Sequence, residues 1–262
     1  MAERPLAGRV ALVTGASRRG AIGAAIARRL AGDGARIVLH TWSPHDAAQP
    51  WGEDVGGPAA LIDELRAAGT EAIKVAGDFV DPTAPGRVVD AALEAFGRLD
   101  VVVANHARSG MQSLEALTAE ELDLSHAVNT RATLLLVREF ARHHDGRTGR
   151  VVLFTSGQYH GAMPDELPYA ASKGALHQVT ASLAVHLAPR GITVNCVNPG
   201  PNDTGYAEDD LRERVASLMP AGRWGAPADT ARLVAWLVSD EAAWVTGQVI
   251  ASDGGWSALS GT

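Results

Sequence analysis

Cysteine is nearly missing from this chain: among 262 residues there is one, Cys196, set inside an apolar run. A single thiol excludes an intramolecular disulfide and fits a reducing compartment. Long hydrophobic runs are missing too, none approaching the ~20 apolar residues of a membrane-spanning helix, so no membrane partner is expected. The opening MAERPLAGRV has no apolar core of the kind a secretory signal carries, and the chain is expected in the cytoplasm. Positive charge is in deficit. Lys and Arg number 23 against 30 Asp and Glu, a net −7 without a basic stripe, which argues against nucleic acid as a partner. No repeat, low-complexity tract or Pro/Ser-rich linker interrupts the sequence, so one domain over 1–262 is the expectation. His143 and His144 have no ligand spacing around them; they are read as solvated, and no metal site is expected.

What the chain has instead is alternation. Apolar runs at 10–13, 36–41, 72–76, 99–104, 150–154, 192–197 and 248–250 read as buried strands. Helical apolar spacing marks stretches between them, among them 24–30, 61–65, 88–96, 117–144 and 228–238. Strands alternating with helices predict an α/β fold on a parallel sheet. Asn129 lies among apolar neighbours inside 117–144, where a buried amide must have a partner.

Between the first strand and the first helix runs Thr14-Gly15-Ala16-Ser17-Arg18-Arg19-Gly20-Ala21-Ile22-Gly23. Strand, Gly-rich turn and helix in that order make a phosphate site, because glycines admit close backbone approach and the helix start offers unpaired amides. Gly15, Ser17, Arg18, Arg19 and Ile22 are therefore candidate cofactor contacts. The second strand closes at His40-Thr41, where the adenosine ribose of a dinucleotide would lie, and no acid stands there to select a 2′-hydroxyl. With Arg18 and Arg19 nearby, this favours NADP over NAD, unless both arginines simply point into water. Asp78, just past the third strand, could accept from the adenine amino group with the backbone at Phe79 completing the contact; alternatively it caps the helix opening at Asp81-Pro82. Residues 44–58, rich in Gly, Pro and Asp, read as a loop, either folded over the adenine end with Trp51 as anchor or inert. The rigid turn 198–204, with Pro199, Gly200 and Thr204, could hold the carboxamide of a nicotinamide ring. Residues 205–219, polar and bounded by Pro201 and Pro220, suit a mobile lid.

The strand at 150–154 leads into SGQYHGAMPDELPYAASK. Tyr169 and Lys173 are four apart at the start of a helix, so their side chains share a face. An ammonium beside a phenol stabilises phenolate and lowers the tyrosine pKa from its usual value of ~10, which lets the group exchange protons near neutral pH. Ser156 could donate to a substrate oxygen. Gln158, Tyr159, Met163 and the 205–219 segment are candidate pocket residues, with His160 beside them. A surface tyrosine and lysine on an amphipathic helix would be the bland alternative.

Taken together, Thr14-Gly15 with the Gly20/Gly23 loop, Asp78, Ala104-Asn105-His106-Ala107, Asn129, Ser156, Tyr169-x-x-x-Lys173, Asn198-Pro199-Gly200 and the tail Gly247-Gln248…Asp253-Gly254-Gly255 resemble the short-chain dehydrogenase/reductase family, in its 3-oxoacyl-carrier-protein-reductase-like branch. The resemblance implies a single Rossmann-type, doubly wound parallel sheet of about seven strands with helices on both faces. It implies interconversion of a ketone and a secondary alcohol with a nicotinamide cofactor, NADP or else NAD. In that chemistry Tyr169 is the general acid/base, Lys173 tunes it and bonds the nicotinamide ribose, Ser156 polarises the substrate oxygen, and Asn129 holds a relay water. Asn105 would hold the adjoining strand in place, while His106 and Ala107 carry nothing over. A homotetramer is implied, with helices 117–144 and 169–189 pairing across an interface. The long first loop resembles that of enoyl reductases, yet the Tyr169–Lys173 spacing is that of carbonyl reductases. Enoyl reduction, dehydration and a non-catalytic dinucleotide-binding regulator are the alternatives.

Overall fold

The computed structural model describes residues 4–49, 51–205 and 209–259. Pro50, within the expected 44–58 loop, and 206–208, within the expected lid, lie outside the described residues.

Seven strands form one parallel sheet: β1 (Val10–Val13), β2 (Arg36–Thr41), β3 (Ala72–Ala76), β4 (Val101–Ala104), β5 (Gly149–Phe154), β6 (Ile192–Asn198) and β7 (Val249–Ala251). Their order is β3-β2-β1-β4-β5-β6-β7. The chain winds outward from β1 through β2 to β3, crosses back to β4, and winds outward again on the other side. Loops leaving β1 and β4 therefore diverge, and the crevice between them opens at the carboxyl ends of the strands.

The helices are α1 (Ile22–Gly32), α2 (Ser43–Ala47), α3 (Gly57–Ala67), α4 (Ala84–Phe96), α5 (Ala119–Ser125), α6 (Ala132–His143), α7 (Leu167–Leu187), α8 (Asp209–Leu218) and α9 (Pro227–Val238). They cover both faces. Because side chains alternate along a strand, Ala11 and Val13 join one core with Ile26, Leu30, Leu61 and Val234, while Val10 and Leu12 join the other with Val88, Leu136 and Phe140. Each fully buried aliphatic or Phe side chain contributes about 1.5–3 kcal/mol to holding the layers.

Four sequence expectations change. Residues 44–58 are not all loop: α2 occupies their start and α3 opens at Gly57, because Pro44 and Pro58 sit in the first turns, where a fixed φ and a missing N–H cost nothing. The helix expected over 117–144 is α5, a π turn (His126–Arg131) and α6 in sequence. The segment 205–219, expected as a lid, is helical over Asp209–Leu218, α8. His144 is not merely solvated, since its Nε2 lies 2.6 Å from the Arg147 carbonyl.

Candidate active site

The loop between β1 and α1 is built on close backbone approach. A Cβ on Gly23 would stand 2.4 Å from the Gly15 carbonyl oxygen and 2.8 Å from Asn105 Nδ2, so only glycine fits. Asn105 Nδ2 donates to the carbonyls of Thr14 and Gly15 at 3.0 and 3.1 Å, which pins the loop to the end of β4. Ser17 Oγ accepts from the Trp42 N–H at 2.9 Å and pins it to the end of β2. No side chain caps the start of α1, where Ile22 is the first residue, so its first amides have no side-chain acceptor.

Above these strand ends lies a cavity of about 630 Å³. Its walls are Gly15, Ser17 and Arg18 from the loop, His40 from β2 and Trp42 just after it, Gly77–Val80 after β3, Asn105–Arg108 after β4, and α2 residues Pro44 and His45. His40 is buried, stacked on Phe79 at 3.9 Å, and bonded through Nε2 to the Gly77 carbonyl at 2.8 Å, while Nδ1 has no partner in the protein. Burial pulls its pKa down to about 4, so it presents a neutral ring to the cavity. Thr41 is buried beside it. Asp78 stands in the wall and accepts from the Val80 N–H at 2.9 Å; it does not cap α4, which opens later, after Thr83. A deep cleft at a helix start, glycines where a Cβ would clash, and an unpartnered ring nitrogen in the wall fit the adenosine half of a dinucleotide.

The two loop arginines part company. Arg19 is held by Asp54 through Nε at 2.9 Å and Nη2 at 2.8 Å, and this pair keeps the Asp54 carboxyl down at about 2. Arg18 lines the cavity, donates to the Thr204 carbonyl at 2.8 Å, and lies 5.5 Å from the centre of the Trp51 ring. Trp51 and Asp54 thus fold the 44–58 segment back onto the Gly-rich loop. Across the crevice, Gly200 has φ +62°, and a Cβ there would stand 2.3 Å from that of Asp253. Pro199 accepts from Asn202 Nδ2 at 2.6 Å, which closes the turn.

Ser156 follows β5, and Tyr169 and Lys173 lie on the first turns of α7. Lys173 is 2% exposed, and its Nζ donates to the Phe154 carbonyl at 3.0 Å and sits 5.7 Å from the centre of the Tyr169 ring. Burial pulls its ammonium down to about 8. Asn129 is fully buried; its amide nitrogen donates to Ser172 Oγ at 2.8 Å and the Arg108 carbonyl at 2.9 Å, and Oδ1 accepts from the Arg108 N–H at 2.7 Å. Both amide hydrogens are therefore used within the protein. This arrangement sets a phenol next to a desolvated ammonium, a pair that can exchange a proton.

The candidate pocket residues divide. Gln158 turns back on its own loop, accepting from the Ser156 N–H and donating to Thr155 Oγ1. Tyr159 stacks on His177 at 4.6 Å, and its hydroxyl accepts from Asn198 Nδ2 at 3.4 Å. Met163 is half-buried in the same loop. Sequence reasoning missed His106, Arg108 and the α2 wall. The buried amide of Asn129 was the one signal that a partner such as Arg108 had to exist.

Residues 15–257 match the family model described as enoyl-(acyl carrier protein) reductase. The Bacillus subtilis protein named Uncharacterized oxidoreductase YjdA is 41% identical over 252 residues, 94% of this chain and 96% of its own. A versicolorin reductase of Emericella nidulans is 35% identical over 267 residues, covering 95% of this chain and 96% of its own. Among solved structures, a short-chain dehydrogenase of Burkholderia cenocepacia in complex with NADP superposes with a TM-score of 0.83 at 37% identity, covering 95% of this chain and 98% of that one.

Proposed function

Because the chain belongs to the short-chain dehydrogenase/reductase family and is an NAD(P)-dependent oxidoreductase, we propose that Tyr169, Lys173, Ser156 and Asn129 carry its ketone–alcohol chemistry. The observation that carries this reading is the buried Lys173 ammonium 5.7 Å from the centre of the Tyr169 ring. A bound nicotinamide would supply the hydride for reduction or accept it in the reverse direction. Tyr169 gives its phenolic proton to the substrate oxygen as the carbonyl becomes an alcohol. Ser156 donates a hydrogen bond to the same oxygen. Lys173 stabilises the phenolate left behind. Asn129 acts by fixing Arg108 and Ser172, the latter one residue before Lys173.

Tyr169→Phe is the test. Turnover with a ketone is expected to fall at least about 1,000-fold while the cofactor dissociation constant stays within about threefold. Turnover near the parent rate sinks the assignment.

The finer reading is NADP rather than NAD, held by Gly15, Ser17, Arg18, Ile22, His40, Thr41, Asp78, Phe79, Asn105, Pro199, Gly200 and Thr204. Arg18 supports it as a cation of the cavity wall on the side of the Gly-rich loop, with no acid at the end of β2; Arg19 contributes through Asp54. Arg18→Ala should raise the KM for NADP about tenfold and leave that for NAD unchanged. The relative named versicolorin reductase makes versicolorin the first ketone substrate to try. The name of the matching family model keeps enoyl reduction as a second reading, which an enoyl thioester assayed beside the ketone separates. One domain over 1–262, a cytoplasmic location and a homotetramer complete the proposal.

A further inference from the structure

One buried ring at the cavity floor belongs to none of the groups assigned above. His106 follows β4, and its Nδ1 lies 2.7 Å from Thr14 Oγ1 while Nε2 lies 3.0 Å from the Val128 carbonyl. A carbonyl only accepts, so Nε2 carries the proton and Nδ1 accepts from the Thr14 hydroxyl. Phe79 closes another side, edge to face at 4.4 Å. Burial holds the imidazole neutral, well below its ordinary pKa.

Nε2 also lies 3.4 Å from Thr133 Oγ1, and the two shorter contacts of this ring matter for what they adjoin. Thr14 heads the Gly-rich loop, and Val128 immediately precedes Asn129 in the π turn. A π turn breaks the regular hydrogen-bond ladder of a helix and persists where its surroundings hold it. Here two consecutive carbonyls of that turn are held by side chains: His106 takes Val128, and Thr133 Oγ1 donates to Asn129 at 2.7 Å. A single imidazole therefore joins segments 92 residues away on one side and 22 on the other.

We propose that His106 is a positioning residue for the reaction: its ring N–H fixes the π turn at Val128, and with it Asn129, relative to the nucleotide-binding loop. This rests on the role given to Asn129 above. It also gives His106 a task that no family motif assigned to it.

Two side chains of different reach separate the contacts. His106→Gln places an amide N–H where Nε2 stands, whereas His106→Asn reaches only the Nδ1 position and Thr14. With saturating cofactor and ketone, kcat is expected within about fivefold of the parent for Gln and at least about 50-fold lower for Asn. Cofactor dissociation constants, read from protein fluorescence, should stay within about threefold in both. A purely structural role would lower the melting temperature of both without separating their kcat values. Equal kcat in the two variants, or Asn above Gln, overturns the proposal. Thr133→Val, which strips a hydroxyl from both the neighbouring carbonyl and the His106 ring, gives a second check should either variant fail to fold. Its kcat should fall about tenfold with cofactor affinity kept, and an unchanged kcat also overturns the proposal. Tyr169→Phe run alongside tells the failures apart. Turnover surviving there defeats the functional reading, whereas an inactive Tyr169→Phe beside equal Gln and Asn variants defeats only the role of His106.

Discussion

Lys173 is held in a place that works against its charge. Burial lowers its pKa to about 8 from an unfolded value near 10.5. Below about pH 8 the folded state keeps a desolvated ammonium that the unfolded chain would hydrate. Between about pH 8 and 10.5 the unfolded state binds the extra proton, so the stability of the parent rises with pH in that window. Lys173→Met removes this dependence. The variant should lose turnover at least about 100-fold, yet its melting temperature relative to the parent should be highest near pH 7 and fall back as pH rises past 8. A gap independent of pH would contradict the burial argument. Tyr169 and Lys173 were legible in the sequence because a helical period alone puts them on one face. His40 was legible only as the close of the second strand and His106 not at all, because an imidazole becomes a neutral buried strut only through partners such as Gly77 and Thr14, 37 and 92 residues away.

At the level of elements, the strands and most helices were legible as apolar runs, since each strand of this sheet from β4 to β6 is buried on both faces and is mostly apolar. The π turn was not, because the pattern of apolar side chains around Asn129 is nearly the same for a continuous helix. Nor was the role of the 44–58 segment, whose composition marks a loop but whose docking depends on Asp54 meeting Arg19. That ion pair persists above the ordinary carboxyl range and is lost only as pH falls toward about 2. Asp54→Asn should loosen this segment: the KM for cofactor rises about three- to tenfold, kcat stays within about twofold, and backbone hydrogen exchange at 51–57 quickens. Unchanged exchange would show that Trp51 alone holds the segment. Gly200→Ala tests the opposite wall. A Cβ at φ +62°, 2.3 Å from that of Asp253, forces the nicotinamide-side turn to move, so cofactor binding should weaken about tenfold or more with the sheet intact by circular dichroism.

Over the whole molecule, two buried neutral histidines set an acid limit. His40 sits at about 4 and His106 lower than its ordinary value, both from desolvation, whereas the unfolded chain protonates near 6.5. As pH falls below about 6.5 the unfolded state takes up protons that the folded state refuses, at about 1.4 kcal/mol per pH unit for each such group. The melting temperature should therefore drop steadily from pH 6.5 toward 4, and His40→Gln should flatten that slope whatever it does at pH 7. The outer surface carries a second constraint. Trp244 is 98% exposed and Val185 77%, and the segment bearing Trp244 returns along α7, where a Cβ on Gly247 would lie 3.4 Å from Ala184. β7 alongside is a sheet edge with no strand beyond it among the described residues. Large apolar side chains in water next to an unpaired edge invite another chain of the same kind. Sedimentation equilibrium should return four times the 27.3 kDa chain, and Trp244→Lys combined with Val185→Lys should shift the distribution to smaller species without lowering helix content. A parent that sediments as the single chain at micromolar concentration would leave Trp244 unexplained and would end the tetramer reading.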